Sequence, residues 1–214
     1  MTTTHRLSRQ VIRRALVTGI RVAILIGTPG LLAASEPARP NPEQPNVVLI
    51  VIDDMGWADV GYHSDEIRSP HIDQLAKTGV ELDQHYVMPQ CTPTRVALMT
   101  GRYPSRFGPH CTSASNLQSY PFGTVTLASA LRAAGYDTAI TGKWHMGSRP
   151  EWGPKQFGFN YTHGSFAGAV GMFDHRYRLN LKPYTRTWHR NDEFIQQEGH
   201  AYDLCTDEAV NWIE

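Results

Sequence analysis

The sequence predicts an α/β protein with a doubly wound, mostly parallel sheet. Three observations carry this. The run "NVVLIVIDD", residues 46–54, is apolar at every position from Val47 to its two closing acids, as a strand covered on both faces must be. Strand-like and helix-like segments then alternate along the chain. The helical segments stop at Gly79, Gly101 and Gly135, residues suited to a helix C-terminus. With 214 residues, 41% of them hydrophobic and 19% charged, the chain can bury one sizeable core and is too apolar for disorder.

The elements follow in order. Arg6, Arg9, Arg13 and Arg14 precede the apolar "VAILIGTPGLLAAS", which ends in the small residues Ala33, Ala34 and Ser35. A basic head, a short apolar run and small residues make residues 1–35 a secretory signal, so the protein is expected to be exported, to the periplasm or outside the cell. The run falls short of the ~20 apolar residues of a membrane span, so no stable span is predicted. Residues 36–45, "EPARPNPEQP", form a proline-rich linker. After the strand at 46–54, "SPHIDQLAKTG" reads as a helix with Ser69 as N-cap and Pro70 in its first turn. "VELDQHYV", residues 80–87, alternates as a strand does.

"TRVALMTG" is a helix closing at Gly101. "TVTLASALRAAG" is a stronger one, with Leu127, Leu131 and Ala134 on one face. "YDTAITGK", residues 136–143, is the next strand. Residues 144–200 read as long loops with little regular structure, ordered by Trp152, Phe157, Phe159, Tyr161 and Phe166. "DLCTDEAVNWIE" opens a last helix. It ends on Trp212 and Ile213 with no stop signal, where an open α/β sheet continues into another strand. The reading is therefore a fold over residues 46–214 that is incomplete at its C-terminus.

Lys plus Arg and Asp plus Glu are equal, at 20 each, and no basic stripe runs between aromatics. That excludes nucleic acid as a partner argued from charge. Cys91, Cys111 and Cys205 are too few for a disulfide scaffold, and no C-x-x-C spacing marks a zinc site. Cys111 and Cys205 stay open as one pair in an oxidising compartment.

In open α/β sheets, ligands bind beyond the carboxyl ends of the strands. Three features fall on that edge. Asp53 and Asp54 close the first strand; adjacent carboxylates repel unless a hard cation such as Ca²⁺ or Mg²⁺ neutralises them, or they are a cap or a solvated turn. Cys91 stands at a helix start, where free backbone N–H groups favour an anion, with Arg95 one turn on. An electropositive pocket and an inert buried thiol both fit Cys91. Lys143 and His145, two apart in an extended segment, point the same way, so a cation and an imidazole can serve one oxyanion, or be a surface lysine and a structural histidine.

Taken together these blocks resemble the formylglycine-dependent sulfatase family, whose fold is alkaline-phosphatase-like. The resemblance lies in "CTPTRVALMTGR", with the cysteine, proline and arginine of C-x-P-x-R followed by L-x-T-G-R. It is extended by "NVVLIVIDDMGWADVGYH", "SPHIDQLAKTGV" and "LRAAGYDTAITGKWHMG". Among subgroups it is most similar to the arylsulfatases related to N-acetylgalactosamine-4-sulfatase. The resemblance implies that a formylglycine-generating enzyme converts Cys91 to Cα-formylglycine during maturation. The hydrate of that aldehyde carries two hydroxyls: one attacks the sulfur of a sulfate ester, the other later expels sulfate.

The same resemblance implies Ca²⁺, or Mg²⁺ in its place, on Asp53, Asp54 and the residue 91 side chain. It makes Arg95 the holder of the hydrate, Lys143 the group that neutralises sulfate, and His145 the base. The substrate is an aryl or carbohydrate sulfate ester. Position 94 is Thr where the family more often has Ser. The family's later Asp-Asn pair and its further His and Lys have no counterpart before Glu214, so the chain reads as a fragment.

Two other functions are carried beside this one. One is a phosphate or phosphonate ester hydrolase of the same superfamily; the other is a non-catalytic truncated paralogue. His163, His175, Arg176, Tyr177, His189 and Arg190 are either pocket-lining or ordinary loop residues. "NYT" at Asn160 is a glycosylation sequon.

Overall fold

The computed structural model describes residues 44–177 and 186–214. The predicted signal and nearly all of the linker lie outside them. Residues 1–49 and 50–214 form two separate units. The first enters only through residues 44–49, which carry no regular structure and are exposed from Pro45 onward.

Among the described residues the second unit holds four α-helices and four strands. Helix α1, Pro70–Thr78, has Pro70 in its first turn, as the sequence predicts. Ser69 does not cap it by side chain. Its hydroxyl instead donates to Asp73 Oδ1 at 2.7 Å and accepts from the Gly61 amide at 2.7 Å, tying the preceding loop to the helix. Helix α2, Cys91–Thr100, starts at the cysteine and closes at Gly101, whose φ of 63° is left-handed. It buries Thr92, Pro93, Val96 and Met99.

Helix α3, Leu127–Ala133, is capped by Thr126, with a reciprocal bond from Ser129. Its buried residue is Ala128, not the predicted Leu127, Leu131 and Ala134 face; Leu127 is 40% exposed. The backbone of the Gly158 turn packs against Ala128 and Ser129, and so close an approach favours the side with the small residue. Helix α4, Ala201–Ile213, is the predicted last helix.

Strand β1, Ala139–Lys143, lies where it is predicted. It pairs in parallel with β2, Tyr161–Ser165, which pairs antiparallel with β3, Trp188–Arg190, and that with β4, Glu193–Phe194. The sheet is therefore mixed, in the order β1-β2-β3-β4. Three of these strands fall in residues 144–200, where the sequence predicts only loops. They are short, and β3 and β4 turn through Asn191 at φ 55°, so no long apolar alternation announces them. In β1 and β2, Gly142 and Gly164 face each other. A Cβ on Gly164 would lie 2.2 Å from the Gly142 carbonyl oxygen, so the close approach requires glycine.

Two predicted strands are absent. Residues 46–54 and 80–87 carry no strand, and Val48 (69% exposed), Ile50, Val80 and Val87 face water. A strand exists by its ladder, and no described residue supplies a partner backbone for either run.

The core gathers Val96 and Met99 of α2, Tyr120, Ala128, Trp144, Met146, Phe157, Phe159 and Phe166. The predicted aromatics of 144–200 thus do order that segment. Phe157 meets Tyr120 edge-on at 4.8 Å, and Trp144 donates its indole N–H to the Trp152 carbonyl at 2.9 Å. Hydroxyls satisfy carbonyls of the irregular crossing between β1 and β2. Thr126 reaches Phe157 O at 2.5 Å, Thr138 reaches Gly158 O at 2.7 Å and Ser119 reaches Met146 O at 3.1 Å. Cys111 and Cys205 are both free thiols, so the pair left open in the sequence is not formed.

His163, His175 and His189 are buried in or against the sheet. His189 stacks on Phe166 at 3.5 Å, and burial lowers its pKa from 6.5 to about 3. The unfolded chain therefore binds the proton near pH 6.5 while the folded chain resists it. Stability from this group is full above pH 6.5 and falls as pH drops toward 3, by about 2 kcal/mol at pH 5. In thermal melts, His189→Gln should lose less stability between pH 7 and pH 5 than the parent; equal losses would refute the assignment.

Candidate functional site

The site is built where three segments meet: the turn at Asp53, the first turns of α2, and the end of β1. Lys143, the last residue of β1, donates to Asp53 Oδ2 at 2.7 Å and Oδ1 at 3.0 Å. Arg95 rises from α2 with its side chain 12% exposed. Its Nη1 donates to the Lys143 carbonyl at 2.5 Å, and its Nη2 lies 3.5 Å from Asp53 Oδ1. One carboxylate thus sits between two cations. Burial alone would raise the Asp53 pKa, but Lys143 first and Arg95 second hold it below its usual range. Burial lowers the Arg95 pKa, opposed by Asp53 and, least, by Cys91, which lies one helical turn before it in α2.

Cys91 is the first residue of α2, preceded by Gln90 in an extended conformation. Gln90 holds the Ala114 amide through Oε1 at 2.6 Å. The helix N-terminus therefore presents its free N–H groups around residue 91. His145 follows β1 by two residues and is 6% exposed. Its φ is 57°, an uncommon value for a residue with a side chain. Burial, then the Lys143 and Arg95 charges, lower its pKa from 6.5 to about 4, with Asp53 opposing. Its Nδ1 is buried without a hydrogen-bond partner, and the Cε1–Nε2 edge of the ring packs against Gly168.

The structure brings together Asp53, Arg95 and Lys143 by direct contact, and Cys91 and His145 by electrostatic coupling to them. Asp54 is not drawn in. It sits in the left-handed region at φ 55°, exposed, with no hydrogen bond or ion pair to a described residue. Among the described residues no three His, Cys, Asp or Glu side chains converge as a metal cage. The adjacent carboxylates of Asp53 and Asp54 fit a hard cation in donor type, with Asp53 already shared by Lys143.

Residues with no marked role in the sequence reading also shape the site. Thr92 is wholly buried and donates to the His145 carbonyl at 3.1 Å. Asn116 Oδ1 accepts from Ser148 at 2.8 Å and from the Gly168 amide at 3.1 Å. Gly168 lies so close to the His145 ring that a Cβ there would stand 2.2 Å from it. Thr92 is visible in "CTPTR" as a hydroxyl beside the cysteine. Nothing local in the sequence marks Asn116 or Gly168, which act through contacts tens of residues away.

With this geometry, comparison with known proteins is specific. The sequence model of the Sulfatase family matches residues 45–213. N-acetylgalactosamine-6-sulfatase of Mus musculus is 33% identical over 213 residues, covering 91% of this chain and 40% of that protein. The crystal structure of Ps i-CgsB aligns with a TM-score of 0.69 at 34% identity, over 79% of this chain and 41% of its own. Its complex with k-i-k-neocarrahexaose gives 0.65 at 32%, over 75% and 39%. The chain spans about two fifths of the length of these relatives. No helix among the described residues is long and apolar enough to cross a membrane.

The charge arrangement makes a signed prediction. Lys143→Met should raise the His145 pKa above its value of about 4, and Asp53→Asn should lower it further. Titration of the His145 ring by NMR checks both; shifts of the same sign in the two variants would contradict the arrangement.

Proposed function

The chain belongs to the sulfatase family, and on that premise we propose that it carries the nucleophile half of an exported sulfuric ester hydrolase acting on carbohydrate or aryl sulfates. The observation that carries the proposal is the pair of cations, Arg95 and Lys143, around the carboxylate of Asp53, with Arg95 one turn along α2 from Cys91. Two positive charges against one negative leave an excess that suits a sulfate group. A carbohydrate ester is favoured by the names of the relatives, one a sulfatase of N-acetylgalactosamine and one solved with a neocarrahexaose.

Cys91 is proposed as the site of conversion to formylglycine by a formylglycine-generating enzyme. Once formed and hydrated, that group supplies a hydroxyl nucleophile and a second hydroxyl for release of sulfate. Asp53 and Asp54 would hold Ca²⁺ or Mg²⁺, which lowers a hydroxyl pKa and polarises a sulfate oxygen when bound. The chain's own residues do the rest. The α2 N-terminus points its N–H groups at residue 91 and favours negative charge there. Arg95, anchored at 2.5 Å on the Lys143 carbonyl, holds its remaining N–H groups toward Asp53 and residue 91. Lys143 stands ready to move its ammonium from Asp53 onto a sulfate oxygen as charge develops.

Burial and the Lys143 and Arg95 charges keep His145 neutral at pH 7, so its imidazole has a ring nitrogen able to accept a proton. An anionic ester bound between Lys143 and Arg95 cancels part of the field that depresses this imidazole. Substrate binding therefore raises the basicity of the group that must take the proton.

Mass spectrometry of the peptide containing Cys91, from protein made beside the maturing enzyme, should show the thiol replaced by the aldehyde. Cys91→Ala should abolish sulfate release from a sulfated sugar, and Lys143→Ala should reduce it by about 10²–10³-fold. An unmodified thiol together with undiminished activity in Cys91→Ala would end the proposal. Phosphate release in place of sulfate would assign the site to the phosphate ester reading.

A further inference from the structure

His145 is held in a conformation that its own side chain does not favour. A non-glycine residue at φ 57° persists only where its surroundings determine it. Its ring gives no help, since Nδ1 is buried with no hydrogen-bond partner. Three contacts remain. The His145 amide donates to the Phe166 carbonyl at 3.0 Å. The ring lies against Gly168, whose amide is held by Asn116 Oδ1 at 3.1 Å. The His145 carbonyl accepts from Thr92 Oγ1 at 3.1 Å.

The Thr92 contact is the one that joins His145 to the other side of the site. Thr92 is 0% exposed and adjoins Cys91 in the first turn of α2. Its hydroxyl is used in both senses: it accepts from the Ser115 amide at 3.0 Å and donates to His145 O at 3.1 Å, with Ser115 O at 3.3 Å as a second acceptor. Removing it leaves a part-buried amide and a buried carbonyl without this partner together. The helix that carries residue 91 and the loop that carries the imidazole are thus linked through one side-chain oxygen.

We infer that Thr92 is a positioning residue: its hydroxyl holds the His145 backbone in the left-handed conformation and so keeps the imidazole in register with the side chain of residue 91. This rests on the reading that residue 91 and His145 serve one reaction. The β-branched Thr suits the task, because few rotamers compete with the one observed.

The test compares Thr92→Val, which keeps the shape and removes the hydroxyl, with Thr92→Ser, which restores the hydroxyl. Each variant is made beside the maturing enzyme, and rates are divided by the fraction of residue 91 converted, because Thr92 lies next to the modified residue. Thr92→Val should lower kcat for a sulfated sugar by about 10–100-fold with little change in KM, and Thr92→Ser should recover most of it. At a fixed pH, the His145 ring Cε1–H resonance should move in Thr92→Val and return in Thr92→Ser.

An unmoved resonance with unchanged kcat in Thr92→Val overturns the inference. So does a serine variant that behaves like valine, which would assign the effect to the methyl group. If Thr92→Val does not fold, the Ser115 amide of the parent decides: protection from hydrogen exchange supports the bond to Thr92, and exchange at the rate of an open loop overturns it. If a full-length protein carrying this segment, with residue 91 converted, releases no sulfate, the hydrolase reading fails, and the ring resonance still decides whether Thr92 positions His145.

Discussion

A guanidinium hidden from water must find its partners inside the protein, and the site depends on how Arg95 does so. It reaches the Lys143 carbonyl and the Asp53 carboxylate, and these belong to different segments of the chain. One side chain therefore ties a turn, a helix and a strand end together. Lys143 closes the same carboxylate from the strand side. The pairing stabilises the fold, yet it leaves more positive than negative charge at the mouth of α2. A structural contact and an affinity for anions thus have one origin.

Asp53 itself is exposed, but the segment behind Lys143 is dry. Trp144, Met146, Phe157 and Phe166 are buried around the segment that follows β1. Low dielectric raises the worth of each nearby charge and suppresses protonation of the buried imidazoles. His145 feels both effects, from burial and from two cations. An imidazole kept neutral is able to accept a proton, which is the role proposed for His145. His189 and His163, neutral for the same reason of burial, sit inside the sheet and serve packing.

Much of this was legible in the residues. Helices α1, α2 and α4 follow from proline at the start, glycine at the end, or a sustained apolar period, which are local properties of the chain. Strand β1 follows from a short apolar run bounded by glycine. The short strands β2, β3 and β4 were not legible, because their inward residues include Thr162, His163 and His189, which carry no apolar alternation. The runs at 46–54 and 80–87 erred the other way. They have strand composition, but a ladder needs a second backbone, and composition does not supply one. At the site, Cys91, Arg95, Lys143, His145 and Asp53 stood out by type and spacing. Thr92, Asn116 and Gly168 matter through contacts with residues far along the chain, and no window of sequence contains those.

By itself the sequence determined which groups were present for chemistry: a thiol at a helix start, two acids, two cations and an imidazole, in an order that fits one family. It also determined where most helices begin and end, since caps and stops act within a turn. The tertiary structure alone decided which groups meet. It placed Asp53 between Lys143 and Arg95 and left Asp54 outside that contact. It fixed His145 in a left-handed backbone and kept it neutral. Pairing, burial and field depend on distances through space, and spacing along the chain does not encode them.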